Sequence, residues 1–152
     1  MAITISNEVK EIINGPDALK VLATVSREGV PHVVFKGSIK VNEEGLIEYL
    51  EFIESSQTNK NMVYSIWFNK TVAINVFLNK RSFQIKGKVK QSIIAGRKFE
   101  ERYIQIKEKK NVDLSAIYLI EPEEIQEESF EKRRLEELEK HPILQHLDRL
   151  TK

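Results

Sequence analysis

Apolar and polar positions alternate most clearly between Thr71 and Lys90. Val72, Ile74, Val76 and Leu78 share one face of a strand. After a turn at Asn79-Lys80-Arg81, Phe83, Ile85 and Val89 share one face of a second strand, opposite Gln84, Lys86, Lys88 and Lys90. Because side chains of a strand alternate between its faces, the pair reads as a two-stranded ribbon with one dry side. Gly87 interrupts that side where a bulge, a tight bend or a close backbone approach is expected.

The same reading extends toward both ends. Ser6 caps a short helix through about Ile13, with Val9, Ile12 and Ile13 apolar and Gly15-Pro16 stopping it. Val21 to Val25 and Val30 to Val34 form a first hairpin around Ser26-Arg27-Glu28-Gly29, with Pro31 marking an edge or a strand start. Ser38 to Val41 and Leu46 to Ile53 form a second hairpin around Asn42-Glu43-Glu44-Gly45. Met62, Val63 and Ile66 fall at helical spacing, which predicts a short helix over 57 to about 68. Phe99, Tyr103 and Ile106 give one apolar face to a helix over about 95 to 109. Leu114 to Ile120 is apolar on both faces and reads as a buried strand ended by Pro122. Beyond it, Leu135, Leu138, Ile143, Leu144, Leu147 and Leu150 stand among many charges, with Pro142 breaking one or two helices that need a partner surface.

These elements predict a mainly β (α+β) protein with a six- to seven-stranded antiparallel barrel, flanking helices and a C-terminal helical tail. The division expected is a barrel domain over 1–122 and a charged, helical extension over 123–152.

Composition narrows the functional classes. The chain has no cysteine, which excludes disulfides, thiolate metal sites and cysteine nucleophiles. No apolar run approaches the roughly 20 residues that span a bilayer, and the first residues lack the basic segment and apolar core of a secretion signal. A cytoplasmic location with no membrane partner is therefore expected. Residues 1–120 carry 18 Lys/Arg against 13 Asp/Glu, whereas the tail from Glu121 carries six against ten. A surplus of five is too small for duplex nucleic acid but suits a small anionic ligand.

The candidate chemistry lies in Ser55-Ser56-Gln57-Thr58-Asn59-Lys60-Asn61-Met62. Hydroxyls, amides and a lysine crowd the start of a helix, where unpaired N–H groups and the positive end of the dipole favour an anion such as phosphate. Ser, Thr and Asn at a helix start are also ordinary caps, and both readings stand at this point. Trp67 and Tyr64 read as core or interface aromatics, His32 as an edge histidine, and Lys86, Lys88 and Lys90 as a solvated strand face. His141 and His146 lie five apart, not at the same-face spacing of a helical ligand pair, so no metal site is expected.

The element order resembles the pyridoxamine 5′-phosphate oxidase-like FMN-binding split barrels. The resemblance rests on Gly29-Val30-Pro31-His32-Val33-Val34, Gly45-Leu46-Ile47-Glu48-Tyr49, Gln57-Thr58-Asn59-Lys60-Asn61-Met62 and Phe83-Gln84-Ile85-Lys86-Gly87-Lys88-Val89, and it covers roughly residues 6 to 120. It implies a split barrel with FMN at a homodimer interface. Carried over, Gln57, Thr58 and Lys60 meet the phosphate, Asn61 faces the cofactor, and Lys36-Gly37-Ser38 line the strand beside it, with Phe35 supplying an apolar slot for the flavin. Some contacts are then expected from the second chain, with Trp67 and Tyr64 as candidates. Gln57 stands where the family often has a cation, which leaves phosphate neutralisation to Lys60 or Lys36.

The function implied is that of an FMN-dependent oxidoreductase of unknown substrate, in which the flavin carries the electrons and no catalytic acid or base is named. Oxidation of pyridoxamine phosphate itself is not expected, because an acidic, leucine-bearing tail stands in place of the family's C-terminal Arg and His pattern. The alternative is a non-catalytic module holding flavin, deazaflavin or haem for electron storage or sensing. Single-stranded nucleic acid is a third class, disfavoured because Phe83 lies opposite the lysines of its strand.

Overall fold

The β5–β6 ribbon organises the protein, seen in a computed structural model that describes residues 2–150. β5 (Thr71–Leu78) and β6 (Arg81–Ile93) pair antiparallel, with Val76 opposite Phe83 and Ile74 opposite Ile85. All four of those side chains are buried, as are Val72 and Val89. The turn is tighter than the sequence predicts: Asn79 and Lys80 alone make it, both at positive φ, and Arg81 already opens β6. Gly87 sits at a register shift in the β6 pairing, and a Cβ built on it would come within 2.2 Å of the Glu121 carbonyl oxygen. This is the close backbone approach expected there.

The other strands are β1 (Leu19–Val25), β2 (Pro31–Phe35), β3 (Lys40–Val41), β4 (Ile47–Glu51) and β7 (Ala116–Glu127). They assemble with the ribbon into one antiparallel sheet of order β2-β1-β5-β6-β7-β4-β3, curled into a half-barrel with helices flanking it. The helices are α1 (Asn7–Asn14), α2 (Gln57–Phe68), α3 (Arg97–Lys110) and α4 (Phe130–Lys140). Ser6 caps α1 by accepting from Val9 N–H at 3.3 Å, and α2 ends at Asn69 in the left-handed conformation.

Two strands differ from expectation. β3 is two residues long because the Ser38 hydroxyl takes over the ladder, donating to Leu50 O at 3.1 Å and accepting from Leu50 N–H at 3.3 Å. β7 does not stop at Pro122 but runs through it. β4 pairs β7 only as far as Ile120, and the Pro122 carbonyl accepts from Ile3 N–H at 2.9 Å. The proline nitrogen, which points to the same side of the strand as its carbonyl, therefore faces away from β6 and removes no bond from that ladder.

β7 is buried on both faces from Ala116 to Ile120 and separates two apolar clusters. Tyr49, Tyr118, Ile120, Ile74, Ile85 and Met62 belong to the barrel interior, whereas Ile117, Leu119, Leu50 and Leu114 pack outside it with Phe99, Tyr103 and Ile106 of α3. α4 ends before Pro142 and buries no residue. Among the described residues no helix is long and apolar enough to cross a membrane.

Candidate functional site

The N-terminus of α2 is built by its cap. Ser56 Oγ accepts from Asn59 N–H at 3.0 Å and donates to Glu51 Oε1 at 2.9 Å, so the helix start is tied to the end of β4. Asn59 Nδ2 donates to Glu54 O at 2.9 Å, and its Oδ1 accepts from the Tyr118 hydroxyl. The capping reading of the octet therefore holds for Ser56. The N–H groups of Gln57 and Thr58 lie ahead of the internal ladder of the helix.

Gln57 and Asn61 point toward the β1–β2 hairpin. Gln57 Nε2 donates to Asn61 Oδ1 at 2.8 Å, and Asn61 Nδ2 donates to Thr24 Oγ1 at 3.0 Å, the latter pair buried. With Ser26, Glu28, Val30, Pro31 and His32 they line a cleft of about 290 Å³. Next to it on β2, Val33 and Phe35 turn outward, and Phe35 is 72% exposed. Thr58 is buried under the helix at 1% exposure, and Lys60 projects into solvent with no ion pair to any described residue.

The predicted β2–β3 residues go elsewhere. The Lys36 ammonium lies 3.9 Å from Glu51 Oε2 and 5.4 Å from the centre of the Tyr49 ring. Ser38 is spent on Leu50, and Gly37 with Ser38 lines a separate cleft of about 410 Å³ shared with Lys20, Phe52 and Ile106. Gln57 and Asn61 thus share a cleft, Lys36 faces the base of α2 through Glu51, and Gly37 and Ser38 do not converge with them.

Glu51 and Tyr118 are the members of this region that sequence reasoning missed. Glu51 is buried on the barrel side of β4 and accepts from the Tyr49 hydroxyl at 2.6 Å and from Ile53 N–H at 3.1 Å. Burial, and then the Glu51 carboxylate, raises the Tyr49 hydroxyl far above its ordinary range. Burial and the Glu51 charge push Tyr118 up to about 12. The available signal was the alternation Ile47, Tyr49, Glu51, which places a carboxylate on the dry face of a strand.

On the other face of the ribbon, Lys88 donates to Asn69 O and Thr71 Oγ1, each at 2.9 Å, and Lys90 lies 3.8 Å from Glu121. Phe83 is buried inside. The lysines and the aromatic therefore do not converge. Among the described residues no group of three or more His, Asp or Glu side chains is placed to hold a metal ion.

The architecture is the split barrel of the pyridoxamine 5′-phosphate oxidase-like FMN-binding proteins. HupZ of Group A Streptococcus superposes with a TM-score of 0.68 at 22% identity, covering 84% of this chain and 96% of its own. A pyridoxamine 5′-phosphate oxidase-related, FMN-binding protein of Nostoc punctiforme superposes with a TM-score of 0.55 at 13% identity, covering 72% of each chain. HutZ, the haem storage protein of Vibrio cholerae, superposes with a TM-score of 0.52 at 16% identity, covering 82% of this chain and 94% of its own. No protein-family model matches the chain, and no curated protein matches it.

The donors at α2 fit a flavin phosphate group. The Gln57 N–H, the Gln57 amide and the Lys60 ammonium, which pairs with no described acid, can meet an anion, and exposed Val33 and Phe35 offer apolar surface on the other face of the edge strand β2. The buried Glu51 carboxylate beneath the helix start works against that anion, so this fit is weaker than at a helix start without an internal acid.

Proposed function

We propose that the protein binds FMN in the cleft between the start of α2 and the β1–β2 hairpin, acts as a homodimer, and serves as a flavin-dependent oxidoreductase. The observation that carries this reading is the convergence of Gln57 and Asn61 on the hairpin residues Ser26 and Val30 to His32, next to the outward-facing Val33 and Phe35. In it, Lys60, the Gln57 N–H and the Gln57 amide hold the phosphate, and Asn61, fixed by Thr24, orients that amide. Phe35 and Val33, on the other face of the edge strand β2, meet the flavin where it reaches round that edge. When bound, the flavin supplies hydride or single-electron transfer, so the chain need only bind, orient and tune it.

A second subunit is favoured by the outer face of β2, β1 and β5. Phe35 stands opposite Val21, Val33 opposite Ala23, and Leu19 opposite Phe77, which makes one apolar surface across three strands, with Leu19, Val33, Phe35 and Phe77 exposed. Trp67, 78% exposed on α2, is the aromatic available to a neighbouring cofactor or subunit. Contiguous apolar surface of this kind marks an interaction site, and a second copy of the chain is the occupant proposed.

The test is the visible spectrum of the purified protein after addition of FMN and gel filtration. Flavin bands that co-migrate with a dimer-sized species are expected. Gln57→Ala with Lys60→Ala should then weaken FMN binding by about 2 to 4 kcal/mol, the scale of charge-assisted hydrogen bonds. A colourless protein that does not retain FMN overturns the reading. Unchanged FMN affinity in the folded double variant removes the start of α2 from the site. The likeness to a haem storage protein favours a second reading, a non-catalytic carrier, which a haem band in place of a flavin band would establish.

A further inference from the structure

Glu48 lies on the face of β4 opposite Tyr49 and Glu51, outside the barrel and at 0% exposure. Three cations surround it: the Lys98 ammonium 2.9 Å from Oε1, Arg102 Nε donating to Oε2 at 2.9 Å, and the Lys40 ammonium 3.6 Å from Oε2. One carboxylate neutralises one of these charges, so two remain. The three cations come from α3 and β3. α1 adds a fourth, Lys10, which forms no ion pair with any described residue and faces the same cleft, about 440 Å³ in volume. Glu43 and Glu44, exposed on the β3–β4 turn, are the opposing charges at the cleft wall, so with Glu48 three carboxylates stand against four cations and one positive charge is in excess.

A second observation points to a ligand. Asn42, in the same wall, accepts from the N–H groups of Glu44 and Leu46 at 3.0 Å each through its Oδ1. That orientation leaves its Nδ2 buried without a hydrogen-bond partner. A buried amide donor left unpaired is destabilising unless something accepts from it. The wall carries no aromatic side chain on which a base or a flavin ring could stack.

We propose that this cleft binds a small dianionic oxyanion, either free phosphate or the phosphate group of a small monoester, held by Lys10, Lys98, Arg102 and Asn42. Lys98 and Arg102 are fixed by Glu48, so they meet the anion without a large ordering cost. The site is separate from the start of α2. Glu48 and Glu51 are three residues apart on one strand and so face opposite sides of the sheet. Its existence does not depend on the flavin reading.

Amide NMR of the full chain tests this, with inorganic phosphate and glycerol phosphate titrated separately and chloride at matched ionic strength as the control. Saturable shifts are expected at Lys10, Asn42, Lys98 and Arg102. Lys10→Glu, which breaks no ion pair with a described residue, should weaken binding roughly tenfold. Tighter binding of the monoester identifies an organic phosphate as the ligand, and equal binding identifies free phosphate. The proposal is overturned by shifts that do not saturate or that chloride reproduces, by saturable shifts confined to Gln57 to Lys60, or by unchanged affinity in Lys10→Glu. Any of these outcomes would reduce Lys40, Lys98 and Arg102 to counter-charges for Glu48.

Discussion

The Tyr49 hydroxyl donates to Glu51 Oε1 at 2.6 Å, joining two side chains on the inner face of β4. That carboxylate also receives the Ser56 hydroxyl at 2.9 Å, so the end of a barrel strand fixes the start of the helix that the proposed site uses. The helix position is thereby set from inside the barrel.

This arrangement predicts an alkaline limb of stability. Burial and then Glu51 raise the Tyr49 hydroxyl, and burial pushes Tyr118 up to about 12, against an ordinary value of 10.0. Above pH 10 the unfolded chain loses protons that the folded chain retains, so the contribution of these groups is complete below that pH and is lost as pH rises toward 12. Tyr49→Phe should reduce the fall in unfolding free energy by up to about 1.4 kcal/mol per pH unit in this range, measured by denaturant titration. An unchanged slope would mean that Tyr49 ionises equally well in both states.

Glu48 predicts an acid limb of opposite sign. Burial by itself raises its pKa, but the hydrogen bond from Arg102, the adjacent Lys98 ammonium and the charges of Arg102 and Lys40 outweigh burial and hold it at about 2 rather than 4.5. Its contribution, on the order of 3 kcal/mol, is present above pH 4.5 and is lost as pH falls through about 2. Glu48→Gln should destabilise the protein at neutral pH and flatten that limb. Thermal unfolding of both proteins from neutral to strongly acid pH checks this, with the two curves converging at the acid end.

Gly87→Ala should be among the most damaging single-methyl changes in the chain. The added carbon would lie 2.2 Å from the Glu121 carbonyl oxygen and 3.2 Å from the Ile120 side chain, so β6 and β7 must separate where both cross the bulge. A loss of roughly 3 kcal/mol, or failure to fold, is expected from such overpacking. Gly37→Ala, where an added Cβ meets nothing within 4 Å, is the matched control and should change stability by less than about 0.5 kcal/mol. Chemical denaturation of the pair decides between a specific clash at Gly87 and a general cost of replacing glycine.

The close approach at Gly87 was legible because it breaks a regular alternation, and α2 was legible because Ser56 caps it and Met62, Val63 and Ile66 recur at helical spacing. Pro122 reads as a strand stop, yet β7 runs through it, because the proline falls where β7 has no β4 partner, and that pairing leaves no local trace in the sequence. The site was legible only in part for the same reason. Gln57 and Asn61 lie one helical turn apart, so their contact is local. Ser38 is held by Leu50 12 residues away, Asn61 by Thr24 37 residues away, and Glu48 by Arg102 54 residues away. Periodicity carries no information about which of these long-range pairs forms.

The proposed dimer gives the last prediction. Val33 and Phe35 occupy alternate positions of edge strand β2, opposite Ala23 and Val21, and both are exposed. Neither supports the barrel interior, so Val33→Glu with Phe35→Glu should leave the fold intact by circular dichroism. Two carboxylates on each copy, brought together across a two-fold interface, would face each other with both desolvation and like-charge repulsion opposing association. Sedimentation should show a dimer for the unaltered chain and a monomer for the variant, and FMN retention should fall with the dimer because Phe35 belongs to both surfaces. A monomeric unaltered chain, or a variant that stays dimeric, would move the interface elsewhere, with the exposed α2 face around Trp67 the next surface to alter.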